Sequence, residues 1–132
     1  MDAALRRLVW ERAGNRCEYC QMKQEFDELT FQTQHIVPKK HHDADEADNL
    51  ALACFACNNH KGTNLSGRDP QTGELTRLFH PRKDKWEEHF EWKEAMLVGR
   101  TRIGRTTVDV LAVNLAYRNE LRKALIEEGV FP

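Results

Sequence analysis

The sequence predicts an α+β fold: a strand–loop–strand–helix unit held at both ends by paired cysteines, with a helix before it and a mixed, largely helical extension after it. Three observations carry this. The four cysteines fall in two pairs of identical spacing, Cys17-Glu-Tyr-Cys20 and Cys54-Phe-Ala-Cys57, with 33 residues between them. Between the pairs, an alternating β-prone run and a short apolar run flank a stretch too charged to bury. Beyond the second pair, a helical pattern from Phe55 to Lys61 stops at Gly62.

Each element has its own local reason. Leu5, Leu8 and Val9 recur at helical spacing, and Gly14-Asn15 ends the pattern, so residues 2–13 read as a helix. Residues 29–37 alternate and stop at Pro38, which suits a strand. Lys39 to Asp48 reads as a loop, and Leu50-Ala-Leu-Ala as a second strand running into Cys54. Residues 63–76, with Asn64, Gly67, Asp69-Pro70 and Gly73, carry turn chemistry throughout. The segment with Trp86, Phe90 and Trp92 suits strand and helix equally, and its aromatics read as core. Thr106-Thr-Val-Asp109 resembles a capping box opening a helix through Val113, and 115–128 reads as a second helix with Leu121, Leu125 and Ile126 as its apolar stripe. The expected division is 1–76 for the clamped core and 77–132 for an extension packed on it.

Composition bounds the function classes. At 132 residues, 40% hydrophobic and 31% charged, the chain suits one modest core rather than a disordered segment. No run of about 18 apolar residues exists, so no membrane span is expected. The first residues, MDAALRRLVWERAG, hold acids and lack a long apolar stretch, so the expected location is cytoplasmic. A net charge of −1 does not announce a nucleic-acid binder. Its distribution is uneven: nine Lys/Arg against twelve Asp/Glu in residues 1–76, and eleven against nine in 77–132. The clusters Arg100, Arg102, Arg105 and Arg118, Arg122, Lys123 suit a solvated face as well as a phosphate track.

Cysteine spacing is more decisive. Zinc takes four deprotonated soft ligands in a tetrahedron, and a CxxC turn presents two thiolates at the right separation. Two disulfides, or four thiols without a ligand, are the plainer alternatives. In a reducing compartment disulfides do not persist, and matched pairs point to metal. A zinc ion is therefore expected at Cys17, Cys20, Cys54 and Cys57, structural because four thiolates leave no open position. Such sites contribute about 10–16 kcal/mol of apparent binding energy.

Cys17-x2-Cys20, His35-Ile-Val-Pro, Asp48-Asn49-Leu50 and Cys54-x2-Cys57-Asn58-x2-Lys61-Gly62 resemble the zinc-clamped HNH endonucleases of ββα-metal fold. The resemblance is close over residues 4–62. Further on, Leu78-Phe-His-Pro-Arg82, Trp86-x2-His89-Phe90 and Gly104-Arg105-Thr106 are similar to the stretch after the motif in a bacterial branch of small stand-alone HNH proteins. The resemblance implies a metal-dependent endonuclease acting on DNA or another nucleic acid, leaving 5′-phosphate and 3′-hydroxyl ends.

It also implies roles. His35 would be the general base, a task that suits imidazole because its ordinary pKa lies near 6.5. Asn49 would hydrogen-bond backbone across the loop and hold the His35 strand, and Asn58 would bind a divalent ion, Mg²⁺ or Mn²⁺. Lys61, which shares a helix face with Asn58, and Arg105 are the expected phosphate contacts. His60, in step with Cys54 and Cys57, is expected to pack beside the zinc.

One position departs from the family. Where members commonly carry Asp or Glu just before the first His, as a metal ligand, this chain has Gln34. Hard cations prefer charged oxygens, so Gln34 with Asn58 makes a weak site. Three readings stay open. Water and phosphate complete the shell; or Asp43, Asp45 or Asp48 substitutes; or a softer ion takes imidazole from His41 or His42. From a different functional class comes the alternative of a zinc-stabilised nucleic-acid-binding module with an impaired nuclease centre, and a third is a plain zinc-stabilised interaction domain.

Overall fold

The computed structural model describes residues 1–41 and 45–132, so the candidate ligands His42 and Asp43 lie outside the described residues. These form the expected mixed α+β fold, with five helices and three two-stranded antiparallel sheets among the described residues. Contacts divide the chain into two units, Met1–Thr63 with His80–Lys83, and Asn64–Phe79 with Asp84–Pro132.

The first unit opens with helix α1, Ala3–Ala13. Asp2 caps it, accepting from the Leu5 N–H at 2.7 Å, and Gly14 ends it at φ +62°, a conformation that glycine adopts without cost. Strand β1, Gln32–His35, is shorter than the alternating sequence run, and it pairs with β2, Leu50–Ala53, bringing His35 opposite Leu50 and Gln34 opposite Ala51. All four β2 residues are buried, which explains why their pattern is continuously apolar. The α1 guanidinium of Arg12 donates to the Ala47 and Leu50 carbonyls at 2.8 and 2.7 Å, tying the first helix to the start of β2. Helix α2, Phe55–Lys61, follows at once, and Gly62 ends it.

The second unit departs further from expectation. The stretch expected to be all turn, residues 63–76, instead opens a hairpin of β3 (Ser66–Arg68) with β4 (Leu75–Arg77), because Asp69 organises the turn. Its Oδ1 accepts from the Gln71 N–H and its carbonyl accepts from Gly73, leaving flanks that pair. The undecided aromatic segment resolves into a short helix α3, Trp86–His89, and a hairpin of β5 (Phe90–Lys93) and β6 (Met96–Gly99). Helix α4 spans Arg102–Val110, earlier than expected, because Thr101 is the cap and its Oγ1 accepts from the Gly104 N–H at 3.0 Å. Thr106 and Thr107 lie buried inside the helix. The early start depends on glycine: a Cβ on Gly104 would stand 2.0 Å from the His89 carbonyl oxygen.

Helix α5, Ala116–Glu127, buries Leu125 as expected but otherwise departs from the expected apolar stripe. Leu121 is exposed, whereas Arg118 and Arg122 are buried and spend their N–H groups on backbone. Arg118 donates to the Leu111 and Ala112 carbonyls, and Arg122 to the Ala95 and Val113 carbonyls, with its guanidinium 5.4 Å from the Trp92 ring. These arginines tie loop carbonyls together and form no phosphate track.

Arg105 has a similar fate. Its Nε and Nη2 grip both oxygens of the buried Asp69 at 3.0 and 2.8 Å. The Arg105 bonds, aided by the Gln71 N–H and the Thr72 hydroxyl, hold the Asp69 carboxyl well below the ordinary carboxylate range. A depressed carboxylate stabilises the fold above its unfolded pKa of about 3.9 and loses that effect as pH falls through the folded value. Asp69→Asn should therefore lower the melting temperature clearly at neutral pH, with a gap to wild type that closes in strong acid. A gap independent of pH would show that the ion pair is not its source.

Candidate active site and metal clamp

The two cysteine pairs meet in the first unit. The Sγ atoms of Cys17, Cys20, Cys54 and Cys57 all lie within 4.8 Å of one another, and all four residues are buried. Four sulfurs bound at about 2.3 Å to one zinc ion would stand about 3.8 Å apart, and Cys20 and Cys54 are separated by 3.8 Å. Cys54 also caps α2, its sulfur accepting from the Cys57 N–H at 3.3 Å, so one residue ends β2, starts α2 and offers a ligand. Burial pushes the Cys17 thiol up, and its three sulfur neighbours push it further. Only a cation in their midst makes thiolates favourable there. The donor set fits a metal such as zinc. His60 is exposed on α2 and takes no place in the cluster.

From the first cysteine pair a hydrogen-bonded chain leads to the candidate centre. Tyr19, buried between Cys17 and Cys20, donates its O–H to Gln34 Oε1 at 2.5 Å. Gln34 Nε2 in turn donates to Asn58 Oδ1 at 3.0 Å. Gln34 is itself buried, so both ends of its amide are engaged inside the protein. Its surroundings suit a link between Tyr19 and Asn58 better than a cation ligand. Asn58 keeps the second lone pair of its oxygen and its own N–H groups for other partners.

His35 ends β1 beside this chain. Its Nε2 is hydrogen-bonded to Asp45 Oδ1, and Lys39 Nζ approaches the same oxygen at 3.4 Å. The His35 bond, with help from Lys39, holds the Asp45 carboxyl down at about 2, so it is ionised at neutral pH. A carboxylate on Nε2 favours the tautomer with its proton there, leaving Nδ1 basic. Asn49 is buried and grips Val37 with both ends of its amide, accepting from the N–H at 2.9 Å and donating to the carbonyl at 3.0 Å.

Lys61 is not at the surface. It is 2% exposed, its Nζ donates to the Ile36 carbonyl at 2.9 Å, and burial lowers its pKa to about 8. Asn58 and Lys61 do share one face of α2, but Lys61 lies buried against the residue after β1 rather than open to a phosphate, whereas Asn58 is half-buried. Arg105 belongs to the second unit and pairs with Asp69.

The fold thus brings His35, Gln34, Asn49, Asn58 and the cysteines into one unit, as the sequence pattern suggested, and adds Tyr19, which that pattern passed over. A residue between two zinc-type cysteines carries no signal of its own. Asp45 was one of three candidate acids, and only the fold sets it against His35. His41 Nε2 stands 3.3 Å from the Thr63 carbonyl, a backbone contact.

Comparison with known proteins points the same way. Over 106 residues the chain is 29% identical to the Septu protein PtuB of Bacillus thuringiensis, a stretch covering 79% of this chain and 38% of that protein. The chain therefore spans less than two fifths of that relative's length. No solved structure matches the chain. The family model described as HNH endonuclease matches residues 17–64, from the first clamp cysteine to just past Lys61. The resemblance drawn from the cysteine pairs, His35, Asn49 and Asn58 is thus matched by the family model: residues 17–64 are similar to HNH endonuclease domains.

Proposed function

We propose that the chain is a metal-dependent endonuclease that hydrolyses phosphodiester bonds of DNA, working in the cytoplasm with a structural zinc and a catalytic Mg²⁺ or Mn²⁺. The observation that carries this reading is the joint placement of His35 and Asn58 on one clamped strand–strand–helix unit, within the segment that matches the HNH family. His35 Nδ1 takes a proton from water as the water oxygen bonds to phosphorus. The phosphorus–O3′ bond breaks, and the departing oxygen gains a proton, giving 5′-phosphate and 3′-hydroxyl ends. Asp45 keeps the imidazole in the working tautomer. Asn58 would hold the divalent ion, with water completing its shell and phosphate supplying the charged oxygens that Gln34 does not. When bound, that ion stabilises the charge that builds on the phosphate and the leaving oxygen. Four cysteines gathered into one metal-type cluster suit a reducing compartment. No helix among the described residues is long and apolar enough to cross a membrane.

One observation favours the second reading, a binding module with an impaired centre. Gln34 and Asn58 are neutral, and the four cysteines are the only metal-type cluster of His, Cys, Asp and Glu among the described residues. Supercoiled plasmid incubated with Mg²⁺ or Mn²⁺ distinguishes the two. Nicking that chelation abolishes is expected, and intact plasmid at all metal concentrations would reject the nuclease reading. DNA affinity should fall with salt at a log–log slope of about −0.9 per phosphate neutralised. Affinity indifferent to salt would instead favour a plain interaction domain.

A further inference from the structure

Two residues after His35, the chain has left the sheet, yet its backbone groups there are all engaged. The Ile36 N–H donates to the Asn49 carbonyl at 2.8 Å, and Val37 exchanges two bonds with the Asn49 amide. The remaining group, the Ile36 carbonyl, is taken by Lys61 Nζ at 2.9 Å from 25 residues away. Asn49 supplies three of these four bonds and Lys61 the fourth.

A buried ammonium is expensive, and among the described residues no carboxylate forms an ion pair with this one, so burial lowers its pKa. Methionine has almost the same length and would fill the same space without that cost. What methionine lacks is a donor for the Ile36 carbonyl. The bond accounts for the lysine, and it falls one residue beyond the candidate base.

We propose that Lys61 is a positioning residue for His35, locking the Ile36 carbonyl and with it the backbone that aims the imidazole, and that it does not touch the nucleic acid. Its catalytic consequence rests on the nuclease reading; its effect on the geometry of His35 does not. Displacing a reacting group by about 1 Å can cost on the order of 100-fold, so a looser base has room for a large effect.

The test uses the full chain as wild type, Lys61→Met and Lys61→Arg, each with its zinc content measured. In Lys61→Met, the nicking kcat with Mn²⁺ should fall at least about tenfold while KM and duplex affinity stay within about twofold. Lys61→Arg, which restores a donor, should recover most of the rate. Independently, the ring ¹⁵N–¹H signals of His35 should shift or double in Lys61→Met, while those of the other five histidines stay in place. If Lys61→Met does not fold, Lys61→Gln, with a shorter donor, is read the same way. Unchanged His35 signals, an unchanged kcat, or a loss confined to DNA affinity would each overturn the proposal. Should wild type itself fail to cut, the nuclease reading falls, and the His35 signals alone decide the role of Lys61.

Discussion

Cys54→Ser is expected to leave the chain without bound zinc and with its first unit unfolded at room temperature. Cys54 ends β2, caps α2 and contributes one of four clustered sulfurs, so its loss acts at three points together. Structural zinc contributes about 10–16 kcal/mol of apparent binding energy, whereas a whole domain is stable by only about 5–15 kcal/mol. The remaining three cysteines would leave one of the four tetrahedral positions without a thiolate and hold a cation poorly. Elemental analysis and thermal unfolding measure this directly. Wild type should carry one zinc per chain, and Cys54→Ser none. A wild type without zinc, or a Cys54→Ser variant that melts within a few degrees of it, would show that the cluster is not a metal clamp.

His35→Ala is expected to lower the nicking rate by about 10²–10⁴-fold, the usual contribution of a general base. Fold and DNA affinity should stay nearly intact, because the backbone beyond His35 is held by Asn49 and Lys61 and not by the imidazole. Asp45→Asn should retain part of the rate, since it removes the charge opposite Nε2 and leaves the base itself. A residual rate within tenfold of wild type in His35→Ala would take His35 out of that role.

What could be read from the sequence was what is local. The CxxC pairs, the apolar run of β2 and the α2 segment ended by Gly62 sit in windows of a few residues, and there spacing and turn chemistry decide the conformation. The backbone bonds of Asn49 were legible through the family pattern. The roles of Gln34 and Lys61 were not, for a common reason: each depends on a partner distant in the chain. The Gln34 amide is set by Tyr19, 15 residues before it, and by Asn58, 24 residues after it. Lysine is ordinarily exposed, so helical periodicity placed Lys61 on the right face and said nothing of what covers it. The same holds for Arg118, Arg122 and Arg105, whose charge suited a solvated face as well as a phosphate track and whose backbone and Asp69 partners are distant in the chain or carry no pattern. In the second unit, the Arg105–Asp69 pair and the close approach of Gly104 to His89 are long-range facts with no window of their own.

Where the ions bind decides both the clamp and the proposed chemistry. Anomalous scattering from crystals soaked in Mn²⁺ measures that for both sites at once. The expected map holds a zinc peak among the sulfurs of Cys17, Cys20, Cys54 and Cys57, and a manganese peak at coordination distance from Asn58, on the side open to solvent. A zinc peak with no manganese near Asn58, in crystals where the ion is present at high concentration, would contradict the catalytic centre while leaving the clamp in place.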